Sequence, residues 1–329
     1  FRKDGIEDSL VAAACHFFLQ VAGLPLKAAG IFCLCFFLAP ACADAVQAPY
    51  SPAGESKRFL QTLDNLNARC GWTDVSIDGV AWEHHRITRH RRPLIFARFG
   101  AGAGNCILFL GGVHGDERPT VYLMLKLAQY LQEHPLTVKD QCIVIAPLVD
   151  PDGYFAAPPT RVNAGGVDLN RNFPTRDWSR NAHRQWRTKG RKNPRYYPGA
   201  KAGSEPETLF QTALIKRFQP QKILSVHSPL NFFDYDGPSS DLDSFDQWME
   251  TISREANHPL KKFGYYPGSL GNYAGHERNI FTLTLELPSS DPKQGPAYFQ
   301  QFLPAFLKFI RLPVAGVPPF TRLVKHGKT

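Results

Sequence analysis

Six side chains of this 329-residue chain have the types and spacing that hydrolytic metal chemistry needs. His114 and Glu117 stand three residues apart in GGVHGDE (111–117), at the end of an apolar run. Asn170 and Arg171 sit together in VDLNRNF (167–173), a polar pair suited to gripping a carboxylate. His227 closes ILSVH (223–227), and Glu286 interrupts the apolar TLTLELP (282–288). Two imidazoles and one carboxylate leave one position open on a tetrahedral zinc, the arrangement of catalytic rather than structural sites. A carboxylate within an apolar strand is costly unless paired or functional, and Glu286 is placed to act as base on a water at the open position. Asp116 reads as a loop-fixing group, because a fourth ligand would close the site. Singly, each residue has a plainer explanation. A histidine at a strand end is usually a hydrogen-bonded structural residue, and a surface arginine is usually just solvated.

These groups must be carried to one place by the elements around them. KRFLQTLDNLNARCG (57–71) is apolar at helical spacing, and the segment from Val75 to Gly100 reads as strands with turns at Asp78-Gly79 and Arg92-Pro93. NCILFLGG (105–112) and CIVIAPLV (142–149) are apolar runs of strand length, fit for the centre of a sheet. Between them, Pro119 suits the first turn of an amphipathic helix over TVYLMLKLAQYLQEH. Helices are expected near 205–218, 243–257 and 296–311, with strands at 222–227 and 280–287. In SEPET (204–208), Ser204 followed by Glu207 predicts a capping box. Alternating strands and helices imply an α/β fold with a largely parallel sheet covered on both faces. Ligands in such sheets collect at the carboxyl ends of strands, where His114, His227 and Glu286 all fall.

The segments GGVHGDE, RVNAGGVDLNRNFP (161–174), GSEPET (203–208), SVHSPL (225–230), GYYPGSLGNYAG (264–275) and LTLELP (283–288) occur in this order. With them the chain resembles the zinc carboxypeptidases, over roughly residues 105–290. The resemblance implies a single-domain, mixed, largely parallel twisted sheet with helices on both faces, and one Zn2+ ion held by His114, Glu117 and His227. It makes Glu286 the general base and Arg161 the group that polarises the scissile carbonyl. Asn170 and Arg171 would hold the substrate's terminal carboxylate, with Asp168 orienting this loop or an imidazole. The glycine-rich segment would line the pocket of the departing residue. Tyr273 is assigned there as substrate-binding, while Tyr265, Tyr266 and Tyr273 all remain open for closing the pocket. The segments RVNAGGVDLNRNFP, GSEPET and PGSLGNYAG resemble most the branch that cuts the amide between γ-D-glutamate and meso-diaminopimelate in murein (peptidoglycan) peptides.

The chain is basic, with a formal charge of +9 and 43% apolar residues. Such a charge favours anionic partners without naming one. Lys27 precedes AAGIFCLCFFLAPACA (28–43), a short apolar stretch ending in small residues. It reads as a cleavable leader cut near Ala43 or Ala45, which implies a periplasmic or secreted protein with no transmembrane segment in the mature chain. The plan is then an extension and leader at 1–43, a linker at 44–56, a catalytic domain at 57–312 and a tail at 313–329. Cys70, Cys106 and Cys142 remain after the leader, so at most one intrachain disulfide can form, and buried free thiols suit Cys106 and Cys142. Residues 176–201 are densely basic, with Trp178, Trp186, Tyr196 and Tyr197 interleaved. A solvated insertion loop, or one contacting anionic murein, explains this stretch better than nucleic acid, which is not an expected partner.

The expected activity is therefore hydrolysis of murein stem peptides or their fragments. An ordinary carboxypeptidase removing L-residues would share every catalytic group. A deacylase of the succinylglutamate desuccinylase and aspartoacylase type would share only the HxxE and His frame. A wall-binding module without catalysis would have no need of both histidines, Glu117, Glu286 and both arginines.

Overall fold

The computed structural model describes residues 52–102, 106–237, 243–261 and 264–312. The expected leader with its cut near Ala43 or Ala45, and the tail 313–329, lie outside the described residues. Apolar strands that alternate with amphipathic helices bury themselves most completely as one central sheet, and that is what forms. The eight strands are β1 (Glu83–Ile87), β2 (Pro93–Phe99), β3 (Cys106–Leu110), β4 (Cys142–Ala146), β5 (Lys222–His227), β6 (Phe232–Tyr235), β7 (Leu260–Lys261) and β8 (Phe281–Glu286). Their order is β1-β2-β4-β3-β5-β8-β6-β7. The central strands β4, β3, β5 and β8 run parallel. Antiparallel pairs join β1 to β2, β2 to β4 and β6 to β8. The sheet is thus mixed and largely parallel, as expected.

Helices cover one face: α1 (Pro52–Arg69), α2 (Arg118–Glu133), α5 (Asp243–Glu255) and α6 (Gly295–Arg311). On the other face lie α4 (Pro206–Phe218), the loop carrying Leu169 and Phe173, and the turn 270–274. Successive side chains of a strand point to opposite faces. In β8, Phe281, Leu283 and Leu285 therefore enter the first core, which leaves Thr282, Thr284 and Glu286 on the second face. In β5 the same alternation sends Leu224 and Val226 to the first core and Ile223 to the second, so Ser225 and His227 share the face of Glu286. His227 and Glu286 are direct register partners. Among the described residues no helix is long and apolar enough to cross a membrane.

Four expectations change. Cys106 and Cys142 are not free thiols: they are register partners on β3 and β4, with Cα atoms 4.4 Å apart, and form a disulfide. Cys70 is the free cysteine among the described residues. α1 begins at Pro52, so residues 52–56 belong to a helix rather than to a linker. The capping box at Ser204 does not form. Glu205 is the N-cap residue, Ser204 Oγ donates to the Glu205 carboxylate at 2.6 Å, and Glu207 instead accepts from Asn163 Nδ2 at 2.8 Å. The basic stretch is not a plain loop. Trp178–Thr188 forms a helix, α3, free of proline and glycine, with Trp178 and Ala182 buried along one side.

Candidate active site

His114 and Glu117 lie between the end of β3 and the start of α2, and Glu117 is the N-cap residue of that helix. A carboxylate suits this place, where unpaired N–H groups concentrate positive potential. The segment folds tightly because Gly115 packs directly on the backbone of Gly153 and Tyr154, an approach that any side chain would block. His227 ends β5, one strand away in the sheet. His114 Nδ1 lies 2.7 Å from Glu117 Oε1, His227 Nδ1 lies 3.0 Å from Glu117 Oε2, and the two Nδ1 atoms are 3.2 Å apart. All three residues are buried.

The outward nitrogens are also engaged. Asp168 is an acceptor only, so His114 Nε2 donates to its Oδ1, at 3.1 Å. Ser225 Oγ lies 3.0 Å from His227 Nε2. Fixing the proton of His114 on Nε2 aims the Nδ1 lone pair inward, the usual way a supporting carboxylate prepares an imidazole for a metal. Two imidazole nitrogens and a carboxylate, all within 4.8 Å of one another, make the donor set of a zinc site with room for further ligands. The Glu117 carboxylate is held ionised, as a ligand must be. Burial opposes ionisation of Glu117, yet His114 and His227 hold its carboxyl well below the usual carboxylate range. Burial and Arg161 disfavour a second proton on His114, but Glu117 and Asp168 outweigh them and its pKa is raised.

Arg161 reaches the same point from the loop after β4. Its Nε donates to Asp168 Oδ2 at 3.1 Å and its Nη1 to Glu117 Oε1 at 3.2 Å. Asp168 therefore serves both expected purposes. It holds His114 and Arg161, and it accepts from the Asn170 amide at 3.0 Å, which shapes the next turn. Burial opposes the Asp168 carboxylate, but Arg161 and His114 keep it well below its ordinary pKa. Asp116 fixes its loop, accepting from Arg195 Nη1 at 2.6 Å.

Glu286 faces this cluster from β8 with its side chain half-buried. Its Oε2 accepts weakly from the Leu230 amide at 3.4 Å, which leaves the carboxylate lightly held. Burial raises its pKa; Glu117 adds to the rise and His227 opposes it. A lightly held carboxylate made more basic by burial is suited to accept a proton.

Asn170 and Arg171 form the expected pair on the neighbouring turn. Asn170 Oδ1 accepts from the Leu270 amide at 2.8 Å, which turns its amide nitrogen to the other side. Arg171 Nη1 donates to Asn170 O at 2.6 Å, and the guanidinium lies 4.3 Å from the Tyr266 ring centroid. Gly268 (φ +77°) lies against Arg171 O, where a side chain would collide, so the two turns stay in contact.

Tyr273 does not join this set. It is buried in the second core, its ring packs on Phe173 at 5.3 Å, and the Arg278 guanidinium covers it at 3.4 Å. The six residues 271–276 form a π-helical turn, and Tyr273 enters the second core from it. Tyr266 is the ring of this segment that meets a functional residue. A second tyrosine was missed from the sequence: Tyr196, in the turn Pro194–Tyr196, places its ring 5.5 Å from the Arg161 guanidinium. The basic stretch that contains it offered the signal, namely aromatics interleaved with arginines.

Comparisons with known proteins point to one family. A profile of the zinc carboxypeptidase family matches residues 85–304. Murein peptide amidase A of Escherichia coli K12 is 33% identical over 215 residues, covering 64% of this chain and 83% of that protein. The crystal structure of murein-tripeptide amidase from Escherichia coli O157 superposes with a TM-score of 0.50 at 27% identity, over 69% of this chain and 91% of that one. Bovine thrombin-activatable fibrinolysis inhibitor gives a TM-score of 0.58 at 18% identity, over 79% and 96%, a likeness of fold alone.

Proposed function

The chain belongs to the zinc carboxypeptidase family, and from that premise we propose that it is a zinc-dependent peptidase of murein, hydrolysing the amide between γ-D-glutamate and meso-diaminopimelate in stem peptides. The observation that carries the hydrolytic part is the convergence of His114 Nδ1, His227 Nδ1 and the Glu117 carboxylate on one point, with Arg161 and Glu286 beside it. Its relation to murein peptide amidase A supports the substrate.

His114, Glu117 and His227 would hold the zinc ion. When bound, it supplies Lewis acidity towards the scissile carbonyl and the attacking water. The remaining work belongs to the protein. Glu286 accepts the proton of the attacking water and returns it to the departing amine, so one carboxylate acts as base and then as acid. Arg161 is already tethered by Asp168 and supplies a fixed positive charge where the carbonyl oxygen becomes anionic. Asn170 and Arg171 hold the carboxylate of the departing residue, a planar recognition that a lysine would not reproduce. Tyr266 stacked on Arg171 and Tyr196 over Arg161 keep both guanidinium planes in place.

Action outside the cytoplasm is part of this proposal. The Cys106–Cys142 disulfide suits an oxidising compartment, and the apolar segment before Ala43 suits export. The test is direct. The zinc-loaded protein is incubated with L-Ala-γ-D-Glu-meso-diaminopimelate and, separately, with an ordinary L-peptide, with and without chelator, and products are read by mass spectrometry. Release of free diaminopimelate, abolished by chelator, is the expected result. Cleavage of the L-peptide alone would move the protein to the general carboxypeptidases.

A further inference from the structure

The reaction described above uses none of the cations of the stretch 176–201, yet that stretch holds most of the protein's charge. Nine of the 38 basic residues lie in it, but only one of the 29 acidic ones, Asp177. The rest of the chain, with 29 basic and 28 acidic residues, is close to neutral, so the net charge of +9 belongs almost wholly to one segment. On α3, Arg180, Arg184 and Arg187 are exposed and recur at i, i+4 and i+7. That spacing puts them on one face of the helix, opposite the buried Trp178 and Ala182. Among the described residues, Arg195 is the one cation of the nine that pairs with a carboxylate, that of Asp116.

The array is held in a fixed place. The rings interleaved with the arginines turn inward: His183 packs on Trp178, Trp186 and Tyr197 with centroids 5.4, 6.2 and 5.9 Å away, and Trp186 meets Tyr197 at 5.1 Å. Trp178 Nε1 donates to Arg171 O at 2.8 Å, the Asp168 amide donates to Tyr197 O at 2.8 Å, and Arg195 holds Asp116, the neighbour of Glu117. The stretch is therefore fastened to the turns that carry Arg171, Asp168 and a metal ligand, on the rim of the site. Like charges fixed three and four residues apart on a helix repel one another, and a loosely solvated segment would relieve this by spreading out. Holding them together costs stability in the free protein, and an anionic polymer laid across the rim offsets that cost.

We propose that the arginine face of α3 docks the protein on intact murein, whose stem peptides carry repeated carboxylates, so that stems are cut while still attached to the polymer. The choice of polymer rests on the peptidase reading. Two other polyanions fit this surface less well. Binders of single-stranded nucleic acid offer exposed rings on which bases stack. Here Trp178, Trp186 and Tyr197 are spent on one another and on His183, and Tyr196, the exposed ring of the stretch, lies over Arg161. A basic helix that lies on a membrane inserts its apolar side among the lipids. The apolar side of α3 is turned to the protein, and the side left outward is arginine.

Isolated murein sacculi sediment, so bound protein is read directly. The α3 variant carries Arg180→Gln, Arg184→Gln and Arg187→Gln; a control loses the same charge from exposed positions on α1 and α6, by Lys57→Gln, Arg58→Gln and Arg311→Gln. For binding, each is combined with Glu286→Gln so that stems stay uncut. Protein with α3 unaltered should sediment with sacculi at about 0.05 M salt and be released at about 0.5 M, where exposed charges are screened. Sacculi whose carboxylates have been blocked by amidation should hold little of it. Removing three charges from α3 should weaken binding by about 100-fold, near fivefold for each, while the control stays within about threefold. With Glu286 intact, the α3 variant should release diaminopimelate from sacculi more slowly by a similar factor, yet cleave the free tripeptide within about threefold of the native rate. An α3 variant that sediments like the native protein overturns the proposal, and so does a control that loses binding as strongly. Tighter binding to duplex DNA or to phosphatidylglycerol vesicles than to sacculi, at equal charge, overturns murein as the partner. Retention on sacculi through α3 with the free tripeptide left uncut would sink the peptidase reading and still support the docking.

Discussion

Asp168→Asn removes one negative charge from the centre of the site, and its cost can be worked from three contacts. Asp168 is fully buried; Oδ1 accepts from His114 Nε2 and from the Asn170 amide, and Oδ2 accepts from Arg161 Nε. An asparagine has one accepting oxygen and one donating nitrogen, so no rotamer satisfies all three donors. With the nitrogen towards Arg161, two N–H groups oppose each other. With the nitrogen towards His114, the imidazole must accept at Nε2 and carry its proton on Nδ1, the atom that faces Glu117 and the metal position. Loss of a group that orients a ligand imidazole weakens metal binding by about 10- to 100-fold, or roughly 1.4–2.7 kcal/mol. Arg161 also loses one of its two anionic partners. Breaking a buried ion pair costs about 3–5 kcal/mol, and the remaining contact to Glu117 puts the loss of folding stability near the lower figure. The sign with pH follows from the depressed pKa of Asp168. Its stabilisation is present above the ordinary aspartate value and is lost as the pH falls through that value towards the folded one, so the variant should show a shallower acid limb of unfolding. Zinc affinity by competition with a chromophoric chelator, together with urea unfolding of the metal-free protein, measures both effects. A variant binding zinc within about threefold of the native protein, at unchanged stability, would refute the orienting role.

Glu286→Gln should keep zinc and lose about 10²- to 10⁴-fold in turnover, and substantial remaining activity would show that the base is misassigned. Because burial raises its pKa, the acid limb of native kcat/KM should lie above the ordinary glutamate value, and the residual rate of Glu286→Gln should lack that limb. Cys106→Ala with Cys142→Ala opens a loop of 36 residues and should cost about 3–4 kcal/mol in urea unfolding; equal stability with and without the bond would contradict this. Lys222 Nζ donates to the carbonyls of Phe309, Ile310 and Leu312 at 2.6, 2.9 and 2.7 Å, tying β5 to the end of α6. Lys222→Met leaves three carbonyls without a donor and should lower stability by about 3 kcal/mol, read as a fall in Tm. An unchanged Tm would show that water serves them equally well.

The cluster of His114, Glu117 and His227, with Glu286 opposite, was legible only through six segments in the order that resembles the zinc carboxypeptidases, because singly each residue has a plainer explanation. Whatever depended on pairing between distant segments was not. Cys106 and Cys142 look like separate buried thiols until β3 and β4 are placed side by side in register. β6 is four residues long and was not expected from the sequence; its antiparallel pairing with β8 is what defines it. Ser204 satisfied a capping pattern, but tertiary partners took precedence, with Asn163 claiming both Glu205 and Glu207. Tyr265, Tyr266 and Tyr273 share one segment, and composition does not reveal that a π-helical turn over 271–276 puts Tyr273 in the second core. α3 was hidden by its charge, since its polar residues outnumber the two that are buried.

The pairing of His227 with Glu286 across β5 and β8 also sets what kinds of genetic change this protein can survive. A strand keeps its faces only in steps of two. An insertion or deletion of a single codon within 281–285 would turn Glu286 into the apolar layer and bring a leucine to the reaction, while leaving composition almost untouched. Substitutions along β8 can be sampled one at a time, but changes of its length cannot. Length variation among related chains is therefore expected in the connections outside the strand, with the spacing from Phe281 to Glu286 held constant.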